Sequence, residues 1–424
     1  MEGPSSHGTN KASQLLISRL IRYNEILEGL AQEVESIKLP SASANVLKYV
    51  AMTARLLIKD VSRIADLMLP NIESQKELLD RFKTISSSIG IFIYFVENYI
   101  LQSRGIPRSF YQLTELIRSE LPEEWKFNYL ACKGTSLGVL PINKYLMKIL
   151  KSFLITRKEI ANYPPLWLFI APSSILRSPL EWSLVAHEIG HIIEKNNLRV
   201  LSRQYPDYKD TDTPLSTAKI RYEYAGELQA DFIGAYFFGL SFIRQAIEEY
   251  YEDEQSLSLS HPSWGERVNV LVQHGLPNLP ATDKCRDLLE NYIGDLRLDP
   301  GLIRISESEV HTLISKTKEI LNDSRIPPFD CGCKEFNDAC EKLRQFLPYA
   351  KDYRVLLNGA ILEQDNAISY YVTNKLGDED KRFKEYDYLI QDCLRLCYIK
   401  MNQRILFETR EAEEEMIASQ EQGA

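Results

Sequence analysis

The 424-residue sequence is short of cysteine and histidine, with seven residues of the first kind and six of the second. An odd number of irregularly spaced cysteines in so long a chain does not predict the disulfide framework of a secreted protein. Two paired CxxC knuckles are also missing, so the cysteines do not predict a structural zinc site. We therefore expect reduced thiols and a cytoplasmic protein.

Sequence patterns that define several other classes of protein are absent. No P-loop, GxGxxG or GxSxG pattern occurs, which leaves nucleotide-driven and serine-based chemistry without support. The formal net charge is -9, without the basic excess that is typical of proteins that bind nucleic acid. We therefore expect no nucleic-acid partner.

Long apolar runs are missing as well. The most apolar run, residues 85–96, is followed at once by Glu97 and is shorter than a bilayer requires. It predicts a buried helix, and we expect no membrane span. The first ten residues, MEGPSSHGTN, carry no basic stretch followed by an apolar one, so we expect no secretory signal.

Helical periodicity is the most abundant pattern in the chain. Only residues 165–170, an apolar and aromatic run between prolines, predict a strand. We therefore predict a mainly α fold with a small sheet. The predicted organisation is a disordered tail at residues 1–11, a helical N-terminal region at 12–150, a core at 151–275 and a helical C-terminal region at 276–424.

A histidine motif stands in the predicted core, where residues 187–191 read HEIGH, an HExxH pattern on a predicted helix. The i, i+4 spacing places the imidazoles of His187 and His191 on one helical face, so both can reach one ion. Two such nitrogens suit zinc, which keeps a coordination position for water in catalytic sites. Glu188, next to the first ligand, is placed to take a proton from that water as the general base.

A third ligand is expected on the following predicted helix, in the segment ELQAD at residues 227–231. Glu227 and Asp231 share a helical face because they are four residues apart. We predict Glu227 as the third metal ligand. We predict that Asp231 accepts a hydrogen bond from a ligand imidazole and so fixes its tautomer. Small and apolar neighbours argue against the usual solvated helix face.

A later segment, SHPSWGER at residues 260–267, carries a histidine and an arginine. His261 is placed in the catalytic role of donating a hydrogen bond to the oxyanion of a tetrahedral intermediate. Arg267 can pair with Asp231 or with Glu227. Taken alone the segment is a weak signal, because a loop histidine and a surface ion pair are the ordinary roles of these two residue types.

In this order, HEIGH, ELQAD and HPSWGERV resemble the motifs of the gluzincin zinc peptidases. The closest resemblance is to the family of the CAAX prenyl proteases and membrane heat-shock proteases, and a more distant one is to the soluble ImmA-type peptidases. The resemblance covers residues 165–272 and implies a zincin-like catalytic core with Zn²⁺. It implies the roles already assigned to the seven candidates: His187, Glu188, His191, Glu227, Asp231, His261 and Arg267. The transmembrane helices typical of the family are missing from the sequence.

Together these patterns predict a zinc-dependent endopeptidase that cleaves a protein or peptide substrate and is controlled by a regulatory protein partner. Residues 196–219, predicted as an exposed loop, would be the element that the partner moves. The predicted strand at 165–170 is either an edge on which an extended peptide adds or a small core strand. A catalytically inactive scaffold stabilised by zinc is the alternative, although a structural site favours cysteine and has no need of Glu188.

Overall fold

The computed structural model describes seven stretches of the chain: residues 6–68, 75–208, 216–252, 262–275, 305–326, 328–329 and 333–422. Over these residues the protein is mainly helical and has one small sheet, which confirms the predicted mainly α fold. The described residues divide into two units, the first within 1–108 and 127–173 and the second within 109–126 and 174–424.

The described helices and strands are numbered along the chain. The helices are α1 Ser6–Glu35, α2 Ser41–Met68, α3 Gln75–Phe95, α4 Arg108–Ser119, α5 Ile142–Ile149, α6 Leu154–Ile160, α7 Ser173–Arg177, α8 Val185–Ile193, α9 Val200–Gln204, α10 Thr217–Phe238, α11 Leu240–Glu252, α12 Trp264–Val270, α13 Glu307–Asp323, α14 Cys333–Arg344, α15 Tyr353–Thr373 and α16 Arg382–Gln422. The strands are β1 Asn128–Lys133, β2 Gly138–Pro141 and β3 Leu166–Ala171.

The sheet lies in the first unit and has the strand order β1-β3-β2, with β1 parallel and β2 antiparallel to β3. The predicted strand at residues 165–170 is therefore β3, and it is the central strand. The prediction that it offers an edge to a peptide is wrong, because both of its backbone edges are already paired. The side chain of Asn143 fixes the start of this strand, since its Oδ1 accepts a hydrogen bond from the Leu166 amide at 2.9 Å.

Helices α1, α2 and α3 supply much of the core of the first unit. Their inward apolar side chains are fully buried together with those of the sheet, and they include Leu27, Val46, Leu57, Ile89, Phe92, Leu130 and Leu168. One carboxylate is buried there as well: Asp60 on α2 accepts hydrogen bonds from the amide and the hydroxyl of Thr156 at 2.9 and 2.8 Å. These bonds compensate the burial of the charge and hold the start of α6 beside α2.

One helical stretch of the first unit, Leu79–Gly105, contains most of α3, a π-helical turn and a 3₁₀ turn. Among the described residues it is the one stretch that is long and apolar enough to cross a membrane by length and composition. Its most apolar window is 39% buried inside the protein, and Phe92 and Phe95 on it belong to the core. Core helices of soluble proteins meet the same criteria, so the expected absence of a membrane span stays a prediction.

The borders of the predicted regions differ from the observed ones. Helix α1 begins at Ser6, inside the tail predicted at residues 1–11. No proline follows Pro4 in this stretch, and each residue added to an existing helix gains a backbone hydrogen bond. The predicted 12–150 region also contains two strands. The predicted 151–275 core is divided at residue 173, because β3 pairs with earlier strands whereas α8 packs against α10.

Helix α10 lies at the centre of the second unit. From Tyr224 to its end nearly every residue is buried, which is the pattern of a helix surrounded on all sides. It ends at Gly239, whose φ of 56° and ψ of −127° suit glycine alone. Asn358 on α15 compensates the break, since it donates to the Phe238 carbonyl at 2.8 Å and accepts from the Ser241 amide at 2.9 Å.

Candidate metal centre

The HExxH motif lies on α8, which follows a 3₁₀ turn at Pro179–Leu184. The apolar residues of this helix are all buried: Val185, Ala186, Ile189, Ile192 and Ile193. The i, i+4 spacing places His187 and His191 on one face, with ring centroids 4.7 Å apart and rings nearly perpendicular. The structure therefore confirms the prediction that the two imidazoles lie close together on one face of the helix.

A close approach of α8 and α10 brings the third candidate ligand to the histidines. A Cβ atom on Gly190 would lie 3.0 Å from the Cα atom of Ala230 and 3.3 Å from the Cβ atom of Ile233. Any side chain at position 190 would require α10 to move back by a few tenths of an ångström. The resulting separation allows the side chains of Glu227 and Asp231 to reach the imidazoles of α8.

We expect the Gly190→Val variant to lose about 1–3 kcal/mol of unfolding free energy, because the added carbons meet the backbone of α10. It should also bind metal more weakly, since Glu227 moves away with α10. Gly90→Val is the matched control: a Cβ on Gly90, also in a helix, meets nothing within 4 Å. Urea unfolding and zinc titration of both variants test this. Equal losses in the two variants would contradict the close approach.

The candidate metal centre consists of His187, His191 and Glu227. The two Nε2 atoms are 3.1 Å apart, and the Glu227 oxygens lie 3.2 Å from Nε2 of His187 and 3.4 Å from Nε2 of His191. The three side chains are largely buried, yet those of His191 and Glu227 keep 19% and 16% of their exposure. This group can bind a metal ion, and its exposed side leaves solvent access to the ion.

Asp231 lies behind His187 and is completely buried. Its Oδ1 lies 2.9 Å from Nδ1 of His187, which leaves Nε2 of that ring to face the centre. Arg267 donates two hydrogen bonds to the same carboxylate, from Nε at 2.7 Å and from Nη2 at 2.8 Å. Its Nη2 also lies 3.6 Å from Glu227. Arg267, predicted to pair with Asp231 or with Glu227, contacts both.

The position of Arg267 is set by the start of α12. Ser263 caps this helix, and its amide donates to the side chain of Glu266 at 2.9 Å, so the two residues form a reciprocal capping box. The box fixes the first turn of the helix, from which Arg267 reaches inward. The Ser-x-x-Glu spacing is visible in the sequence and predicts the start of this helix.

The charged side chains of the group shift one another's pKa values. Burial lowers the pKa of His187, but the hydrogen bonds and charges of Asp231 and Glu227 outweigh it and raise this pKa to about 10. Burial raises the pKa of Glu227, yet the charges and hydrogen bonds of His191 and His187 hold it well below its usual range. Burial also opposes ionisation of Asp231, and Arg267 and His187 nevertheless lower its pKa. The two ionised carboxylates therefore face two positive charges, Arg267 and the protonated His187, and a metal ion would have to displace the proton of His187.

Glu188 is buried next to the candidate ligands, with 5% of its surface exposed. Among the described residues no group donates a hydrogen bond to its carboxylate. Every other buried carboxylate of this centre is held by an arginine or a histidine. The role of Glu188 as the general base stays a prediction.

A second buried carboxylate, Glu194, fixes the chain after α8, and the sequence patterns did not single it out. It accepts hydrogen bonds from the amides of Val200 and Leu201 at 3.2 and 2.8 Å and from the side chain of Gln229 at 3.1 Å. Gln229 also donates to Thr317 on α13 at 2.8 Å. Burial raises the pKa of Glu194 despite these bonds. The sequence signal for a buried role was its position directly after the apolar pair Ile192 and Ile193 at the end of a buried helix.

This network corrects the predicted exposed loop at residues 196–219. Its residues 200–204 form α9, and Leu198, Val200 and Leu201 are buried. The amides that start α9 bind the Glu194 carboxylate, which is why the polar sequence around them does not form a loop. Residues 209–215 lie outside the described part of the chain.

Of the seven predicted site residues, the structure brings five into direct contact: His187, His191, Glu227, Asp231 and Arg267. Glu188, the neighbour of His187 on α8, is buried. The seventh, His261, lies outside the described residues, so its catalytic role stays a prediction. Comparison of this chain with models of protein families, with curated proteins and with solved structures finds no match. The assignment of a function therefore depends on the geometry of the centre.

Proposed function

We propose that this protein is a zinc-dependent endopeptidase of the gluzincin type. The observation that supports this most strongly is the meeting of His187, His191 and Glu227 at one point, with Glu188 buried next to His187 on the same helix. A structural zinc site favours cysteine and needs no such carboxylate. This argues for the enzyme over the alternative, a zinc-stabilised scaffold without activity.

The spacing of the three donor atoms suits zinc. Zinc binds imidazole nitrogen and carboxylate oxygen in tetrahedral geometry at about 2.0–2.1 Å, so two of its ligand atoms lie about 3.3 Å apart. The three donor separations here are 3.1, 3.2 and 3.4 Å. Two imidazoles and one carboxylate are also the ligand set of several catalytic zinc sites, which leave the fourth position open.

A zinc ion in this centre would polarise a peptide carbonyl and lower the pKa of a water molecule to about 7. The residues of the chain have separate tasks around it. Asp231 holds His187 in the tautomer whose Nε2 lone pair faces the centre, and Arg267 keeps Asp231 in place. Glu188 accepts a proton from the attacking water and passes it to the leaving amine. His261 is proposed to donate a hydrogen bond to the oxyanion.

The substrate proposed is a protein or peptide, and the compartment proposed is the cytoplasm. The first follows from the resemblance to gluzincins and from the exposed side of the centre, where His191 and Glu227 meet solvent. The second follows from the irregular cysteines, of which Cys132, Cys340, Cys393 and Cys397 are buried and not in disulfides. A regulatory protein partner remains part of the proposal.

The experiment is hydrolysis of a mixed peptide library by the purified full chain, read by mass spectrometry. We expect cleavage that is lost on chelation and returns with about one equivalent of zinc. Glu227→Ala should lose both the metal and the cleavage. Glu223→Ala is the matched control: it removes a carboxylate one turn earlier on α10, paired with Lys219 at 3.6 Å. This control should keep both.

Two outcomes would overturn the proposal in different ways. Wild-type protein that binds no zinc, or binds it equally well after Glu227→Ala, would exclude the ligand assignment. The scaffold would be favoured by two results together. The wild type would bind one full equivalent of zinc but cleave nothing in the library, and cells with the Glu188→Gln variant would contain the same protein termini as wild-type cells.

A further inference from the structure

Helices α5 and α6 form a hairpin in the first unit. Two backbone hydrogen bonds close the turn between them, from the Leu150 amide to the Leu146 carbonyl at 2.9 Å and from the Phe153 amide to the Leu150 carbonyl at 3.1 Å. The side chains of these three residues are fully buried. At the other end, Asn143 donates to the Pro164 carbonyl at 3.1 Å, so the start of α5 lies beside the end of α6. The hairpin is therefore held at both ends.

Basic residues dominate this hairpin, although the chain as a whole is acidic. Residues 127–158 contain no aspartate or glutamate, whereas 59 of the 424 residues of the chain are acidic. Five basic residues lie on the hairpin: Lys144, Lys148, Lys151, Arg157 and Lys158. Its one acidic residue is Glu159, at the end of α6. The hairpin is thus a local basic patch, which the negative net charge of the chain does not exclude.

The surroundings of the hairpin do not neutralise this charge. Lys148, Lys151 and Lys158 are exposed, and no described residue forms an ion pair or a hydrogen bond with their ammonium groups. Nε of Arg157 is buried without a hydrogen-bond partner. Lys144 and Lys148 lie four residues apart on α5, a spacing at which like charges destabilise a helix. Cations that the fold itself does not pair indicate an anionic partner.

A large apolar side chain lies among these cations. Leu154, the first residue of α6, keeps 70% of its exposure, more than any other large apolar side chain of the described residues. Lys151 precedes it by three residues, and Lys158 follows it on the same face of α6. Cations around an exposed leucine suit the surface of an anionic bilayer, where the leucine meets acyl chains and the lysines meet headgroups. A soluble polyanion would use the cations but not the leucine.

We propose that the α5–α6 hairpin docks this protein on the surface of an anionic membrane. Leu154 enters the layer of lipid headgroups, and Lys148, Lys151 and Lys158 lie against lipid phosphates. The hairpin does not cross the bilayer, because its helices have eight and seven residues and a spanning helix needs about 20. The cytoplasmic leaflet carries the negative surface charge that this docking requires. The proposal does not depend on the metal centre or on peptidase activity.

The first test is cosedimentation of the full chain with vesicles of phosphatidylcholine, either pure or with about 30% phosphatidylserine. We expect binding to the mixed vesicles alone, and its loss at about 1 M salt, where charges are screened beyond about 3 Å. The triple variant Lys148→Gln, Lys151→Gln and Lys158→Gln should bind about 100-fold more weakly, since each lysine contributes about fivefold.

A second triple variant is the matched control. Lys316→Gln, Lys334→Gln and Lys375→Gln remove the same charge from exposed lysines of the second unit. This variant should bind the mixed vesicles nearly as well as the wild type. Equal losses in the two triple variants would show that binding follows the net charge alone and would overturn the proposal. A wild type that does not bind the mixed vesicles would overturn it as well.

The second test separates a membrane from a soluble polyanion. Leu154→Ala keeps every charge, and it should bind the mixed vesicles about tenfold more weakly because less apolar surface leaves water. Leu376→Ala is the control: it shortens a leucine that is 50% exposed in the second unit, and it should bind as the wild type does. If Leu154→Ala has no effect and the wild type binds polyglutamate or single-stranded RNA as tightly as vesicles, the partner is a soluble polyanion and the membrane proposal fails. Circular dichroism verifies that each variant is folded.

Discussion

The Asp231→Ala variant should lose about 3–5 kcal/mol of unfolding free energy, measured by urea unfolding without metal. The carboxylate of Asp231 is fully buried and accepts both short hydrogen bonds of Arg267. Removing it leaves a buried guanidinium without its nearest counter-charge. The same variant should bind zinc about 10–100-fold more weakly, because His187 loses the acceptor that fixes its tautomer.

A double variant separates these two effects. Asp231→Leu with Arg267→Met replaces the buried ion pair by apolar groups of similar size, and such replacements are often neutral or stabilising. We expect it to recover most of the unfolding free energy. Its affinity for zinc should stay as low as that of Asp231→Ala, because neither new side chain accepts a hydrogen bond from Nδ1 of His187.

Recovery of both quantities in the double variant would show that Asp231 matters only for packing. Recovery of neither would show that the apolar pair does not fit the space. The assignment of Asp231 as the orienting partner of His187 requires that stability returns and zinc affinity does not.

The residues of the candidate metal centre could be predicted from the sequence because each motif consists of residues close together in the chain. HExxH depends only on the helical period, which places residues 187 and 191 on one face of α8. The same period places Glu227 and Asp231 together on α10. That α8 and α10 meet was an inference from the need for a third ligand, and the close contact of Gly190 with Ala230 now explains it. A glycine inside a helix lowers stability by about 1 kcal/mol relative to alanine. Its presence at position 190 could therefore have indicated a close helix contact from the sequence alone.

The sheet was predicted poorly because two of its strands lack a local signal. Strand β1, NYLACK, is mostly buried yet contains alanine and cysteine between polar ends, and β2 is four residues long with a glycine and a proline. Both are strands because β3 pairs with them, and pairing between distant segments leaves no periodicity in the chain. For the same reason the sequence did not predict that β3 is the central strand.

The path of the chain after α8 also depended on distant partners. The polar residues after Asn196 are typical of a loop, but Glu194 binds two amides of α9 and is itself bound by Gln229. Whether a buried glutamate can accept a proton or instead stabilises the fold depends on which groups donate hydrogen bonds to its carboxylate. Glu188 and Glu194 lie six residues apart on one buried segment, and Glu194 is the one that backbone amides bind.

That difference gives the sharpest prediction about the mechanism. Glu188→Gln keeps the size of the side chain but removes its ability to accept a proton. We expect unchanged zinc content and unfolding free energy, and a fall in the rate of peptide hydrolysis of about 10²–10⁴-fold, which is the usual contribution of a general base. Zinc analysis, urea unfolding and the peptide-library assay measure the three quantities on one preparation.

Glu194→Gln is the matched control, because it makes the same substitution on the same segment at a carboxylate held by backbone amides. It should lower the unfolding free energy by about 1–3 kcal/mol, since its amide group cannot accept all the hydrogen bonds that the carboxylate does. Hydrolysis for each folded, zinc-loaded molecule should stay near the wild-type rate. If both variants lose hydrolysis equally, or if Glu188→Gln keeps it, another group of this centre takes the proton.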